Sequence, residues 1–139
     1  PAKVIGAMKK IQSQSTSNPA SISQYAAEAA LNGPQECIAE MLVSFKQRHD
    51  FVVEKLNAIP GVNCLAGNGT FYAFAAFSEA LIAYGSDSDV NFAEAILEKT
   101  GVALVPGSAF GTAGCMRISF ATSNANLESA MERLAKELS

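Results

Sequence analysis

The 139-residue sequence is sparing with several residue types, and each scarcity excludes a class of function. It has three cysteines, Cys37, Cys64 and Cys115, far apart and odd in number. That pattern excludes a disulfide framework and the closely paired ligands of a structural zinc site, and predicts free thiols in a reducing cytosol. Three arginines and seven lysines are scattered along a chain of net charge −3, so there is no basic patch for nucleic acid. No apolar run approaches the roughly 20 residues of a membrane-crossing helix. No basic region followed by an apolar stretch opens the chain, so no signal peptide is read. The single histidine, His49, lies in Arg48-His49-Asp50, off the main apolar stripe of a long helix, and is expected on a solvated face. With no second histidine and no orienting cleft, a Ser-His-Asp or Cys-His site is poorly supported. The acids fall mostly on helix exteriors, leaving no inward carboxylate pair or metal site. Asp87 and Asp89 read as helix-capping residues.

What the chain does have is periodicity. Val4, Ile5, Met8 and Ile11 predict a helix over 3–14, closed by the polar break from Ser13 to Pro19. Ser21 with Gln24 reads as a capping box opening an alanine-rich helix that ends at Asn32-Gly33-Pro34. Ile38, Met41, Leu42, Phe45, Val52, Leu56 and Ile59 predict one long helix over 35–59, stopped by Pro60-Gly61. The period then changes to two. A short strand is expected at 62–65, a turn at Gly67-Asn68-Gly69, and at 70–77 a strand apolar on both faces and hence covered on both. A helix with Val90, Ala93 and Leu97 on its buried stripe runs to Thr100, and a last helix buries Leu127, Ala130, Met131, Leu134 and Leu138 behind a cap at Ser123 or Asn124.

The order is three helices, then β-β-α-β-β-α. This predicts an α+β arrangement in which a sheet carries helices on one face, preceded by helices whose apolar stripes need a further partner. Pro1 is not an initiator methionine, and the chain is expected to be a piece of a longer protein. The expected boundaries are 1–33 for the last helices of a large domain, 34–60 for an interdomain helix, and 61–139 for a small C-terminal domain.

The richest segment runs from Gly101 to Ala121 and reads strand, glycine-rich loop, strand. Cys115, Arg117, Ser119 and Ala121 share one face of the second strand; Met116, Ile118 and Phe120 share the other. The second is a core face. On the first, a guanidinium rises among small residues. It is either placed to grip a carboxylate or phosphate through two parallel hydrogen bonds, or an edge arginine paired with a surface acid. The glycine loops do not lead into helices, as phosphate-binding motifs do, and read as turns. Every lysine falls on a predicted helix, with none in a tight apolar loop suited to Schiff-base chemistry. The residues by themselves describe an anion grip without a nucleophile or base.

Val105-Pro106-Gly107-Ser108-Ala109-Phe110-Gly111, followed by Arg117-Ile118-Ser119-Phe120-Ala121, resembles the C-terminal part of a pyridoxal-phosphate-dependent aminotransferase of fold type I, closest to the aspartate aminotransferase family of class I/II. The Gln12–Pro19 segment, Gly69-Thr70-Phe71-Tyr72 and the long helix ending at Pro60-Gly61 fit the same pattern, so the resemblance covers nearly the whole chain. It implies that Arg117 binds the substrate α-carboxylate and that Phe110 helps wall the pocket. It also implies that Ser13–Pro19 runs near a subunit interface. The parent would be a cytoplasmic homodimer acting on an amino acid and a 2-oxo acid. The family's Ser-x-x-Lys cofactor motif is not in this sequence and would fall before Pro1. No catalytic residue and no bound pyridoxal phosphate are therefore expected of this chain alone. Two alternatives stay open: another fold-type I enzyme, such as a different amino-acid aminotransferase or a carbon–sulfur lyase, and a non-catalytic carboxylate-binding or interaction domain.

Overall fold

The computed structural model describes residues 1–16 and 18–139, so of the Ser13–Pro19 break Ser17 lies outside the described residues. The chain divides into two compact units, Pro1–Ile38 and Ala39–Ser139. The first holds α1 (Ala2–Ser15), α2 (Ser21–Asn32) and the start of α3 (Glu36–Asn57). No residue of α1 or α2 is buried. The apolar positions that predict these helices face outward; Ile11 is 69% and Leu31 80% exposed. Ser21 does not cap α2: Ala20 is its N-cap residue, and Gln24 instead donates through Nε2 to the Pro19 carbonyl at 2.7 Å.

The second unit is α+β, as its period change predicts. After α3 come β1 (Asn63–Cys64), β2 (Tyr72–Ala76), α4 (Ser78–Tyr84), α5 (Asp89–Thr100), β3 (Val105–Pro106), a 3-10 turn over Gly107–Phe110, β4 (Cys115–Ser119) and α6 (Asn124–Glu137). The four strands form one antiparallel sheet in the order β1-β2-β4-β3. Its two outer strands are two residues long, and one of them contains Pro106. α4 has no counterpart among the expected elements, because seven residues are too few to show a period. It ends at Gly85, whose φ of 78° closes the helix as a left-handed cap.

Helices cover one face of the sheet, and the core lies between. Ala73, Ala75, Met116 and Ile118 from the strands meet Val52 and Leu56 of α3, Phe92 and Ile96 of α5, and Leu127, Met131 and Leu134 of α6. Burying one such side chain contributes about 1.5–3 kcal/mol. Two expectations are corrected here. The buried stripe of α5 is Phe92, Ala93, Ile96 and Thr100, while Val90 and Leu97 are 43% and 49% exposed. Phe92, Ala93 and Ile96 reach the core, and the Phe92 ring lies against Phe77 and Tyr84. And β2 is covered on one face only: Ala73 and Ala75 are buried, whereas Phe74 is 41% exposed and Ala76 is exposed. The two helices with serine caps, α5 and α6, each have one backbone N–H held at 3.2 Å, Asn91 by Ser88 and Asn126 by Ser123. Ser88, not Asp87 or Asp89, caps α5. No described helix is long and apolar enough to cross a membrane.

Candidate functional site

The sheet face away from the core is built by register. Phe74 of β2 and Val105 of β3 both pair with Arg117 on the central strand β4, and Tyr72 pairs with Ser119. Paired residues share a face, so Tyr72, Phe74, Val105, Cys115, Arg117 and Ser119 all point away from the core. The predicted alternation of β4 is present: Met116 and Ile118 are buried, Cys115 and Arg117 half-buried, and Ser119 exposed.

Arg117 is half-buried in the middle of this face, not at a sheet edge. Its Cζ lies 4.4 Å from the centre of the Tyr72 ring and 4.6 Å from that of Phe110. Phe110 also meets Phe74 edge-on, with centroids 6.1 Å apart. The rings hold the guanidinium by cation–π attraction, each contact contributing about 0.5–2 kcal/mol according to its desolvation. Among the described residues no acid pairs with Arg117 and no group accepts a hydrogen bond from it. Arg117 stands on the central strand β4, whereas the alternative reading has it at an edge beside a surface acid. What is left is a charge oriented by aromatic contacts, with its N–H donors available to an anion.

Phe110 stands on an exposed loop whose shape depends on Gly107. A Cβ at Gly107 would lie 2.8 Å from the Cβ of Cys115 and still closer to the Thr112 carbonyl, so only glycine fits against β4 here. The loop is closed by Thr112 N–H to the Gly107 carbonyl at 2.9 Å, and Gly114 receives Phe77 N–H at 2.8 Å on its own carbonyl.

Two residues that the sequence places outside the chemistry are part of this scaffold. Asp89 is only 5% exposed, and its Oδ2 accepts from Ser108 N–H at 2.8 Å and Gly114 N–H at 3.3 Å. Burial acts to raise its carboxyl, but these hydrogen bonds outweigh it and leave the group below the ordinary carboxylate range. His49 is not on a solvated face. It is 8% exposed, lies edge-on to Phe120, and has ring nitrogens on both sides engaged. Gly67 N–H donates to Nε2 at 3.2 Å, which leaves Nδ1 to donate to Asp50 at 2.9 Å. His49 therefore ties α3 to the loop that leads into Tyr72. The signal that finds such a residue is a lone polar side chain one turn from apolar ones, here the buried Val52 and the half-buried Phe45.

The three cysteines are free: Cys37 exposed, Cys115 half-buried, and Cys64 buried, where burial pushes its thiol up. No cluster of three metal-ligating side chains occurs among the described residues.

Comparison with known proteins is consistent along the chain. The family model described as aminotransferase class I and II matches residues 1–134. An aspartate/prephenate aminotransferase of Nitrosomonas europaea is 50% identical over 145 residues, covering 100% of this chain and 36% of its own length. The crystal structure of the aspartate aminotransferase from Rhizobium meliloti superposes with a TM-score of 0.85 at 43% identity, over 99% of this chain and 36% of that one. That of an aromatic aminotransferase from Pyrococcus horikoshii gives 0.84 at 34% identity, over 99% of this chain and 36% of that one. The chain spans about a third of the length of the relatives it matches.

Proposed function

The chain belongs to the class I and II aminotransferases, of fold type I, and from that premise we propose that it is the C-terminal part of an aspartate-type aminotransferase in which Arg117 clamps the substrate α-carboxylate. The observation that carries this reading is a half-buried guanidinium, with no acid partner among the described residues, held by Tyr72 and Phe110 on a face it shares with Phe74, Val105, Cys115 and Ser119. A planar fork with fixed orientation takes a carboxylate through two parallel, charge-assisted hydrogen bonds. Holding the carboxylate fixes the amino acid's orientation, and so the direction in which its reacting bonds point. Phe110 walls the pocket and excludes water from the ion pair.

In this family pyridoxal phosphate supplies an electron sink for amino-group transfer between an amino acid and a 2-oxo acid. The residues of this chain do not fit that cofactor. All seven lysines are exposed and sit on helices, none on the sheet that carries Arg117. Lys46, Lys55 and Lys99 are further engaged with Asp50, Glu54 and Glu137. The cofactor and its lysine belong, in this reading, to the rest of a cytoplasmic, homodimeric parent, and the isolated chain holds neither. The exposed apolar positions of α1 and α2 support a missing partner surface of that kind. The match to an aromatic aminotransferase keeps a second donor class in view, since no residue of the Arg117 face reads a side-chain carboxylate.

The test is Arg117→Leu in the full-length parent. Losing a charge-assisted bidentate contact of about 3–5 kcal/mol lowers kcat/KM by roughly two to four orders of magnitude. Activity within a few-fold of wild type would sink the assignment. The donor class follows from the ratio of kcat/KM for aspartate to that for phenylalanine.

A further inference from the structure

We propose that Asp89 is a positioning residue: by holding both ends of the segment 108–114, its carboxylate sets Phe110 against Arg117 and so fixes the guanidinium that receives the substrate carboxylate. This rests on the reading of Arg117 given above.

The loop has almost nothing else to place it. Residues 108–113 are all exposed, so no buried apolar side chain anchors them. The hydrogen bonds from Gly111 N–H to Ser108 and from Thr112 N–H to Gly107 give the loop its shape but attach it to nothing. Attachment falls on Gly114, whose carbonyl meets Phe77 N–H and, at 3.5 Å, the Ser78 hydroxyl, and on Asp89. Asp89 reaches from outside the loop to Ser108, two residues from Phe110.

The carboxylate is not accounted for by other work. α5 already has its cap in Ser88, so Asp89 is not needed to end the helix. Among the described residues no cation pairs with it, and its partners beyond α5 all belong to the loop: the N–H groups of Ser108 and Gly114 and the Ser108 side chain. A carboxylate that is 5% exposed and satisfied in this way is costly to place. Its location in the first turn of α5 offsets part of that cost, because the positive end of the helix favours negative charge. The same location fixes it rigidly: α5 packs on α6 and on β3 and β4. Asp89 therefore transmits the position of a core helix to an exposed aromatic ring, and through that ring to a guanidinium 4.6 Å away.

The experiment uses the full-length enzyme with Asp89→Asn, Asp89→Ala, Phe110→Ala and the double variant Asp89→Ala/Phe110→Ala. Loosening one cation–π contact raises KM for both the amino acid and the 2-oxo acid about three- to tenfold, with kcat within about twofold. Asp89→Asn gives a smaller rise, because it keeps an acceptor but not a charged one. The double variant is no worse in KM than Phe110→Ala alone, since the two residues act in series. Amide hydrogen exchange in wild type and Asp89→Asn supplies a reading that does not depend on turnover. Ser108 and Gly114 exchange at least about tenfold faster in the variant, while the amides of α5 do not change.

Additive KM effects in the double variant, or unchanged exchange at Ser108 and Gly114, would overturn the proposal. So would a loss of kcat accompanied by faster exchange throughout α5, which marks a general loss of packing. Should Asp89→Ala not fold, Asp89→Asn carries the comparison. An inactive wild-type enzyme would overturn the aminotransferase reading instead, and the exchange data would still decide whether Asp89 holds the loop.

Discussion

Met116 and Ile118 of β4 are 0% and 4% exposed, while Arg117 between them is half-buried and faces the opposite way. Three consecutive residues thus belong to two environments. On one side the strand is sealed by α3, α5 and α6 and made of apolar atoms alone. On the other, aromatic rings stand around a charge with no acid partner among the described residues. The first face stabilises the fold, and the second spends apolar surface on orienting one side chain. A strand's twofold alternation lets a protein separate stability from binding at a spacing of one residue. Residues of the open face can then be altered without disturbing the core, and residues of the core without altering the open face.

Substitutions on each face measure how complete that separation is. The largest loss of stability is expected on the closed face: Ile118→Ala removes a buried side chain against Ala73 and leaves a cavity, costing about 2–5 kcal/mol. The shift in the midpoint of urea unfolding reads it, and a change under 1 kcal/mol would mean that this face is not sealed. A smaller, pH-dependent loss is expected at the junction of the faces, where Asp89 is held below the ordinary carboxyl value of about 4. A carboxyl lowered by folding contributes stability that is fully present above its unfolded value and is lost as pH falls through its lower folded value. The stability difference between wild type and Asp89→Asn is therefore constant near neutrality and shrinks below about pH 4. Asp50 and Glu137, also held low by Lys46 and Lys99, cancel in that difference. A gap that stays flat down to pH 2.5 would show that folding does not lower the Asp89 carboxyl. The smallest effect belongs to the open face: Arg117→Leu gives up the cation–π contacts with Tyr72 and Phe110 but keeps an apolar side chain against the same rings, and changes unfolding free energy by about 1 kcal/mol or less. A loss of 2 kcal/mol or more there would show that the guanidinium supports the fold as well.

The parts of this architecture that local pattern controls were legible in the sequence. The alternation along Cys115–Phe120, the stripe of α6 and its serine cap depend on residues within a few positions of each other. His49 and Asp89 were misjudged because their partners are distant. Gly67 lies 18 residues beyond His49, while Ser108 and Gly114 lie 19 and 25 beyond Asp89. In the sequence His49 reads as a helix-surface polar group and Asp89 as a helix cap; only the returning loops show what each one holds. β2 was misread for a different reason. Phe74 has the hydrophobicity of a core residue, and composition does not distinguish a ring buried in a core from one that helps seat Phe110 beside a charge. The helices α1 and α2 were legible as helices with apolar stripes, but an apolar stripe does not say what covers it.

The margins of the sheet have a consequence of their own. The two border strands, β1 and β3, offer only two residues each, and at Pro106 the backbone has no N–H to give. A foreign strand arriving at either border finds almost no ladder to extend. The molecule can therefore display Tyr72, Phe74 and Phe110 around its charged centre without inviting stacking of one copy's sheet onto another's. Resistance to fibrous self-association is set at the rim, which frees the middle of the sheet to carry aromatic surface.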